Sequence, residues 1–253
     1  MWHGHTVSVI LPTYNEKDSI RQCVLDVQST GVVDEVLVVN NNAAAGTSEA
    51  IADTGAREIH ESRQGYGWSI RRGLAESSAD YLIVCEPDGT FFAGDVFKLL
   101  SYAEDFDVVY GSRTSQQLIW SGANMGIFLR WGNWCVAKYM QFLYNATSLT
   151  DVGCTMRLIR RPVATTLLPV FKIGGSEFGP EMMIESLFHG FRIIQIPVNY
   201  APRVGTSSVT GDPVKAFFLG LRMIKLITIS RLKRGLFSVP RVPRREVEDG
   251  RAR

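Results

Sequence analysis

"YLIVCEPDGTFF", residues 81–92, sets an apolar run against an abrupt polar end. "DYLIVCE" (80–86) reads as a buried strand of the parallel-sheet kind, where near-continuous apolar runs replace alternation. Pro87 and Gly89 stop it, because proline offers no N–H to a ladder and glycine accepts turn geometry. Between and beside them stand Glu86 and Asp88, two carboxylates one residue apart at a strand end. Outward from this stretch, "TVSVILP" (6–12) and "DEVLVVNNN" (34–42) are further apolar runs that end in polar residues. Helical spacing covers 15–30, 46–56 and 65–78, with "REIHES" (57–62) as a short strand. Asn15 or Asp18 is the expected cap of the first helix. This alternation predicts an α/β fold with a mostly parallel sheet, helices on both faces, and a ligand crevice at the carboxyl ends of the strands. Segments 12–16, 40–42 and 86–88 should converge on that crevice.

The second half is less regular. The pattern predicts helices over 95–104, 124–145 and 176–190, and strands over 107–113 and 191–203. A long amphipathic helix follows over 212–235, and a Pro- and Arg-rich tail, 236–253, is expected to be flexible. No internal repeat is present.

Composition bounds the reading. A chain of 253 residues, 45% hydrophobic and 21% charged, suits one α/β domain with or without appendages. A net charge of +2 is too small to argue for a nucleic-acid partner, and none is expected. Positive charge is concentrated late: residues 213–245 hold nine Lys and Arg and no Asp or Glu. Cys23, Cys85, Cys135 and Cys154 form no CxxC pair, so a zinc site is disfavoured and reduced cytosolic thiols are the expectation. The opening residues lack a signal-peptide pattern, and no stretch approaches 18 uncharged apolar residues, so no membrane-crossing helix is predicted. His3, His5, His60 and His189 show no ligand spacing.

An isolated Glu-x-Asp is more often a solvated turn than a site. Here two other polar strand ends point the same way. Oxygen ligands in this pattern suit Mg²⁺ or Mn²⁺, which keep waters and also bind phosphates. Such an ion neutralises a diphosphate leaving group.

Five segments carry a resemblance: "VSVILPTYNE" (7–16), "VLVVNNN" (36–42), "GYGWSIRRGL" (65–74), "LIVCEPDGTF" (82–91) and "VVYGSR" (108–113). In this order they resemble the inverting glycosyltransferases of family 2, which have the GT-A fold. The closer likeness is to the dolichol-phosphate mannose synthase and polyprenyl-phosphate glycosyltransferase group. "TDVGCTMRLIRR" (150–161) is similar to that group's Asp-x-x-x-G-F/T-R segment, and "IPVNYAPRVGTSS" (196–208) to its Arg-x-G-x-S loop. The likeness spans about residues 6–232.

The resemblance implies roles. Pro12, Tyr14 and Glu16, with Asn40, Asn42 and Gly67, are expected at the nucleotide. Glu86, Asp88 and Thr90 are expected at the Mg²⁺ or Mn²⁺, and Asp88, Arg113 and Arg203 in catalysis. Arg113, Arg203, Ser207 and Ser208 are expected near the diphosphate or an acceptor phosphate. Departures are Asn40-Asn41 for the usual Asp-Asp, Ala43 to Ala45 for Ser-x-Asp, and Glu86 for the first Asp. The first departure leaves the nucleotide, GDP or UDP, open.

A phosphate acceptor needs cations rather than a base, and Arg113, Arg130, Lys138 and Arg203 are candidates. Were the acceptor a hydroxyl, Glu181 is the nominated base, with a plain helix-N-terminal acid as the equal alternative. Trp120, Phe128, Trp131, Trp134, Tyr139, Phe142 and Tyr144 suit either a membrane-interface helix or core, and the same choice stands for the 212–235 helix. The resulting expectation is a metal-dependent inverting transferase. It moves a sugar from a nucleotide-diphosphate sugar to polyprenyl phosphate while bound peripherally to the cytoplasmic face of a membrane. Residues 6–113 form the nucleotide-sugar half and 114–211 the acceptor half. A soluble-acceptor transferase, a nucleotidyltransferase and a silent sugar-nucleotide binder remain rivals.

Overall fold

Seven strands form one sheet in the order β3-β2-β1-β4-β6-β5-β7. They are β1 (Val7–Thr13), β2 (Glu35–Asn40), β3 (Arg57–His60), β4 (Tyr81–Val84), β5 (Val108–Ser112), β6 (Arg157–Arg160) and β7 (Ile193–Pro197). The helices are α1 (Lys17–Ser29), α2 (Thr47–Ile51), α3 (Tyr66–Glu76), α4 (Asp95–Ala103), α5 (Ile127–Tyr144), α6 (Arg161–Leu167), α7 (Phe178–Phe188) and α8 (Pro213–Lys233). This computed structural model describes residues 1–205 and 213–235. The expected tail, 236–253, and Ser207 and Ser208 of the Arg-x-G-x-S loop lie outside the described residues.

The pairings β1–β2, β2–β3, β1–β4 and β5–β7 are parallel, and β6 runs antiparallel to both β4 and β5. The mostly parallel sheet is therefore as expected, with β6 as its exception. β6 and the short α6 escape the sequence pattern. "RLIR" is only four residues long, with an arginine at each end.

Strand residues of alternate parity feed two cores, one on each face. Ile10, Leu37, Val39, Leu82 and Val84 pack with Ile70 and Leu74 of α3, Val136 of α5, Met182 of α7 and Ile227 of α8. Val9, Leu11, Val36, Val38 and Ile83 pack with Ile20 and Val24 of α1, Ile51 of α2 and Leu99 of α4. Gly73 is where α3 touches the sheet: any Cβ there would collide with Ile10 and crowd Val39.

Neither Asn15 nor Asp18 caps α1, whose N-cap is Glu16 without a side-chain cap bond. The Glu16 carboxylate turns back instead and accepts the N–H groups of Tyr14 (2.7 Å) and Asn15 (2.9 Å). That bond set shapes the first loop of the crevice. At the far side, α8 docks on α5: the Tyr144 hydroxyl donates to the carbonyl of Ile227 (3.0 Å), and Tyr139 bonds Thr228 (2.8 Å).

Candidate active site

The carboxyl ends of β1, β2 and β4 open onto one cavity of about 610 Å³. β4 stops at Val84, and the turn beyond it holds Gly89 at φ +80°, a left-handed conformation that favours glycine. The turn carries Glu86 into the cavity lining, while Asp88 lies just beneath, 1% exposed. One oxygen of Asp88 accepts the backbone N–H (2.9 Å) and hydroxyl (2.6 Å) of Thr90. The other oxygen is buried without a hydrogen-bond donor and faces the Arg203 guanidinium as an ion pair. Arg203 also donates to Glu86 at 2.9 Å. Its segment is tied to the turn by the N–H groups of Val204 and Ala201, which donate to the carbonyls of Asp88 (2.9 Å) and Thr90 (2.8 Å). A single guanidinium thus bridges the two carboxylates. Burial, and then the neighbouring Asp88, push the Glu86 carboxyl up to about 7. Burial works against the charge on Arg203, but Asp88, Glu86 and Glu16 together raise its pKa.

Among the described residues no three or more His, Cys, Asp or Glu cluster as a metal site. The pair nevertheless fits a cation: two close carboxylates, one oxygen without a donor, and a positive charge already seated between them. Thr90 does not line the cavity, and both its bonds go to Asp88. It orients a carboxylate and is not placed as a metal ligand.

Arg113, at the end of β5, lines the cavity but is engaged. Its Nε and Nη2 donate to the two oxygens of Asp151 at 2.9 and 3.1 Å, and its backbone N–H adds a third bond (3.0 Å). Burial opposes the charge, and Asp151 outweighs it, raising the Arg113 pKa well above the ordinary value. Asp151 lies in the 150–161 segment, and no role for it is legible from the sequence. The partner that fixes Arg113 is found only in the fold.

On the nucleotide side, Pro12, Tyr14 and Glu16 line the cavity together with Thr13, Asn41, Gln64 and Ser69. Three expected residues do not. The Asn40 amide is consumed by Glu58 (2.8 Å) and by the N–H of Ala43 (2.8 Å). Asn42, at φ +55°, bonds the Ser62 carbonyl and Gln64. Gly67 is buried against the 173–174 segment and donates to the Gly174 carbonyl (2.8 Å). Of the three asparagines Asn41 reaches the cavity, and its amide knots β2 to the carbonyls of Glu61 and Arg63 and the N–H of Gly65.

Away from the carboxylates the cavity becomes an apolar trough. It is lined by Phe128, Leu129, Gly132, Cys135 and Val136 of α5 and by Phe217, Gly220, Leu221 and Ile224 of α8. Arg130 and Lys138 stay outside it: Arg130 reaches Gln116 (3.4 Å), and Lys138 bonds Gln141 (2.8 Å). Glu181 also lies outside the lining, with its two oxygens accepting the N–H groups of Lys172 (2.9 Å) and Ile173 (3.0 Å). Burial pushes its pKa up while those two bonds pull it down. The carboxylate is committed to holding the 172–174 loop against α3, not to abstracting a proton.

The fold has known counterparts. The structure superposes on glucosyl-3-phosphoglycerate synthase from Mycobacterium tuberculosis, crystallised with Mn²⁺, UDP and glucosyl-3-phosphoglycerate. The TM-score is 0.67 at 18% identity, covering 90% of this chain and 80% of that one, which establishes the GT-A type of fold. The dolichyl-phosphate hexose transferase of Haloferax volcanii is 25% identical over 229 residues, 90% of this chain and 96% of the relative. The undecaprenyl-phosphate mannosyltransferase of Micrococcus luteus is 25% identical over 228 residues, 82% of this chain and 89% of the relative. The low-salt glycan biosynthesis hexosyltransferase Agl6 of Haloferax volcanii is 28% identical over 82% of this chain, which spans about half (51%) of that relative's length. The profile described as Glycosyl transferase family 2 matches residues 8–168, more than half of the chain. With the strand-end carboxylates and the fold agreeing, the chain belongs to glycosyl transferase family 2 and is a glycosyltransferase.

Proposed function

We propose that the chain moves a hexosyl group from a nucleotide-diphosphate sugar to a polyprenyl phosphate at a membrane surface. One observation carries this reading: a single cavity joins the carboxylate and arginine cluster to an apolar trough between α5 and α8. A ligand with an anionic head and a long apolar tail matches that change of character along its length. The names of the Haloferax and Micrococcus relatives, a dolichyl-phosphate and an undecaprenyl-phosphate transferase, support the same acceptor class.

The exposed sides of the same two helices support membrane contact. Ile127, Phe128, Trp131 and Phe142 of α5 and Phe217, Phe218, Leu221 and Leu232 of α8 are exposed. Lys215, Lys225 and Lys233 accompany them, Arg222 pairs with Glu177, Arg231 is buried, and α8 contains no acid. Aromatic and aliphatic groups beside cations suit the interface of an anionic bilayer. No described helix is long and apolar enough to cross a membrane. Met223 and Ile227 are nevertheless buried against the core, so α8 serves as a core helix on one face and a contact helix on the other.

In this mechanism Pro12, Tyr14 and Glu16 cradle the nucleotide, and residues 6–113 supply the donor half. Glu86 and Asp88 would hold Mg²⁺ or Mn²⁺, which when bound supplies Lewis-acid neutralisation of the diphosphate. Arg203 stabilises charge developing on the departing diphosphate. Arg113, held rigid by Asp151, presents a fixed edge to the acceptor phosphate. The acceptor is already an anion, so no residue need remove a proton, consistent with the engagement of Glu181 by backbone.

The test is transfer itself. Purified protein is incubated with Mn²⁺ or Mg²⁺, polyprenyl phosphate in vesicles, and labelled GDP-mannose or UDP-glucose. The expected result is label in the lipid extract, lost in Asp88→Asn. Label released only to a soluble acceptor contradicts the reading.

A further inference from the structure

Two buried hydroxyl oxygens in the cavity have no hydrogen-bonding partner in the described protein: the phenol of Tyr66 and Oγ1 of Thr155. Neither residue takes part in the roles above. Both stand on rigid backbone. Tyr66 opens α3, pinned where the N–H groups of Gly67 (2.8 Å) and Trp68 (3.2 Å) donate to the Gly174 carbonyl. Thr155 precedes β6, and its carbonyl accepts Nε of Arg157 at 3.2 Å. Arg157 is itself 1% exposed and fixes this corner by donating also to the Cys154 carbonyl.

The location is informative. In the β4–β6 register Val84 faces Arg157, so Thr155 stands where the chain runs beside Glu86, and Tyr66 lines the same cavity as both. Burial pushes the Tyr66 pKa up, so the phenol keeps its proton and remains a donor. Buried polar atoms without partners are rare in native structures, because desolvation goes uncompensated. Two of them on residues that line one functional cavity point to groups supplied by a ligand. A diphosphate would be met by cations, and a polyprenyl chain by apolar side chains. Uncharged hydroxyls beside the diphosphate site match a polyhydroxylated group.

We propose that Tyr66 and Thr155 form the subsite for the transferred hexosyl group, reading its hydroxyls next to Glu86. Tyr66 donates to one sugar hydroxyl oxygen, and Thr155 exchanges a hydrogen bond with another. The inference rests on the glycosyl-transfer reading above and adds the residues that distinguish a sugar nucleotide from its free nucleotide. No bond forms or breaks at either side chain, so both are specificity residues.

The test compares a nucleotide with its sugar conjugate on the full chain with Mn²⁺. Calorimetric titrations use UDP and UDP-glucose, and GDP and GDP-mannose, against wild type, Tyr66→Phe and Thr155→Val. Both substitutions keep shape and delete a hydroxyl. The expected result is unchanged affinity for the free diphosphate and about a tenfold loss for the sugar nucleotide in each variant. Melting temperatures of the empty variants should be no lower than wild type, since each removes an unpaired group. Equal weakening of diphosphate and sugar nucleotide overturns the subsite, as does no weakening of either. A wild type that binds no nucleotide of the panel overturns the proposed function itself and the subsite with it.

Discussion

The two ends of the sheet treat carboxylates in opposite ways. At the amino-terminal end Glu35 accepts the hydroxyls of Ser8 (2.7 Å) and Ser77 (2.6 Å) and Nε of Arg57 (2.9 Å). Asp80 accepts both donors of Thr6, and Asp34 accepts the N–H of Val7. Arg161 closes the same end by donating to the carbonyls of Ala79 and Leu74. Every one of these groups is answered by the protein. At the carboxyl end Glu86 and Asp88 crowd each other, one Asp88 oxygen lacks a donor, and Tyr66 and Thr155 carry idle hydroxyls. The first end is finished by folding. The second is left for a ligand to finish, as functional sites often are at a cost in stability.

Substitutions break this contrast in order of size. Asp88→Asn should cost about 10²- to 10³-fold in transfer rate, the scale of losing one preorganised electrostatic element. In the empty protein the relief of repulsion with Glu86 is set against loss of the buried ion pair with Arg203, so the loss of transfer is the diagnostic effect. Glu35→Gln should act on stability alone. An amide facing two hydroxyls and an arginine leaves donors unmet, at about 2 kcal/mol of stability by denaturant unfolding. Transfer measured well below the melting temperature should be unchanged.

A smaller effect is expected in the trough. A Cβ at Gly132 or Gly220 meets nothing within 4 Å, so the backbone there is open to the cavity. Gly220→Leu should raise the KM for polyprenyl phosphate about tenfold by filling that space and leave nucleotide affinity unchanged. Steady-state kinetics with each substrate varied would separate the two.

A further effect is in pH. Burial works against ionised Glu35, but bonds from Ser77, Ser8 and Arg57 outweigh it and hold its pKa below the ordinary value. Its contribution is present above about pH 4.3 and is lost as pH falls through the lowered folded value. Glu86 has the opposite sign. Raised to about 7, it keeps a proton in the fold that the unfolded chain gives up. Stability of the empty protein therefore falls as pH rises from about 4.3 to about 7. Glu35→Gln should flatten the acid limb of a stability profile and Glu86→Gln the neutral one.

Much of this was legible in the sequence, for identifiable reasons. β1, β2 and β4 are β-branched apolar runs with abrupt polar ends, so the strands and the crevice could be read together. The Glu86 and Asp88 pair and Arg203 carry motif spacing across the whole chain. β6 could not be read, because a four-residue antiparallel strand bounded by arginines has no period to detect. Asn41 lines the cavity where Asn40, in β2, and Asn42, at φ +55° beyond it, do not, a difference made by the turn that follows the strand. Arg130 and Lys138 lie on α5 beside the trough yet turn to Gln116 and Gln141, which charge counting does not reveal. Glu181 has the composition of a base and the geometry of a loop anchor. Tyr66 and Thr155 had no sequence signal, since an unanswered hydroxyl exists only in three dimensions.

The most direct test of an end left for a ligand is the melting temperature of wild type and Asp88→Asn, each with and without Mn²⁺ plus UDP or GDP. Ligand that binds only the fold raises stability by about 2.7 kcal/mol at a hundred times its Kd. The account predicts that wild type shifts upward with the pair of ligands. It predicts that the variant, wherever it melts when empty, shifts little with the same ligands. A variant that gains as much from Mn²⁺ and nucleotide as wild type does would contradict it.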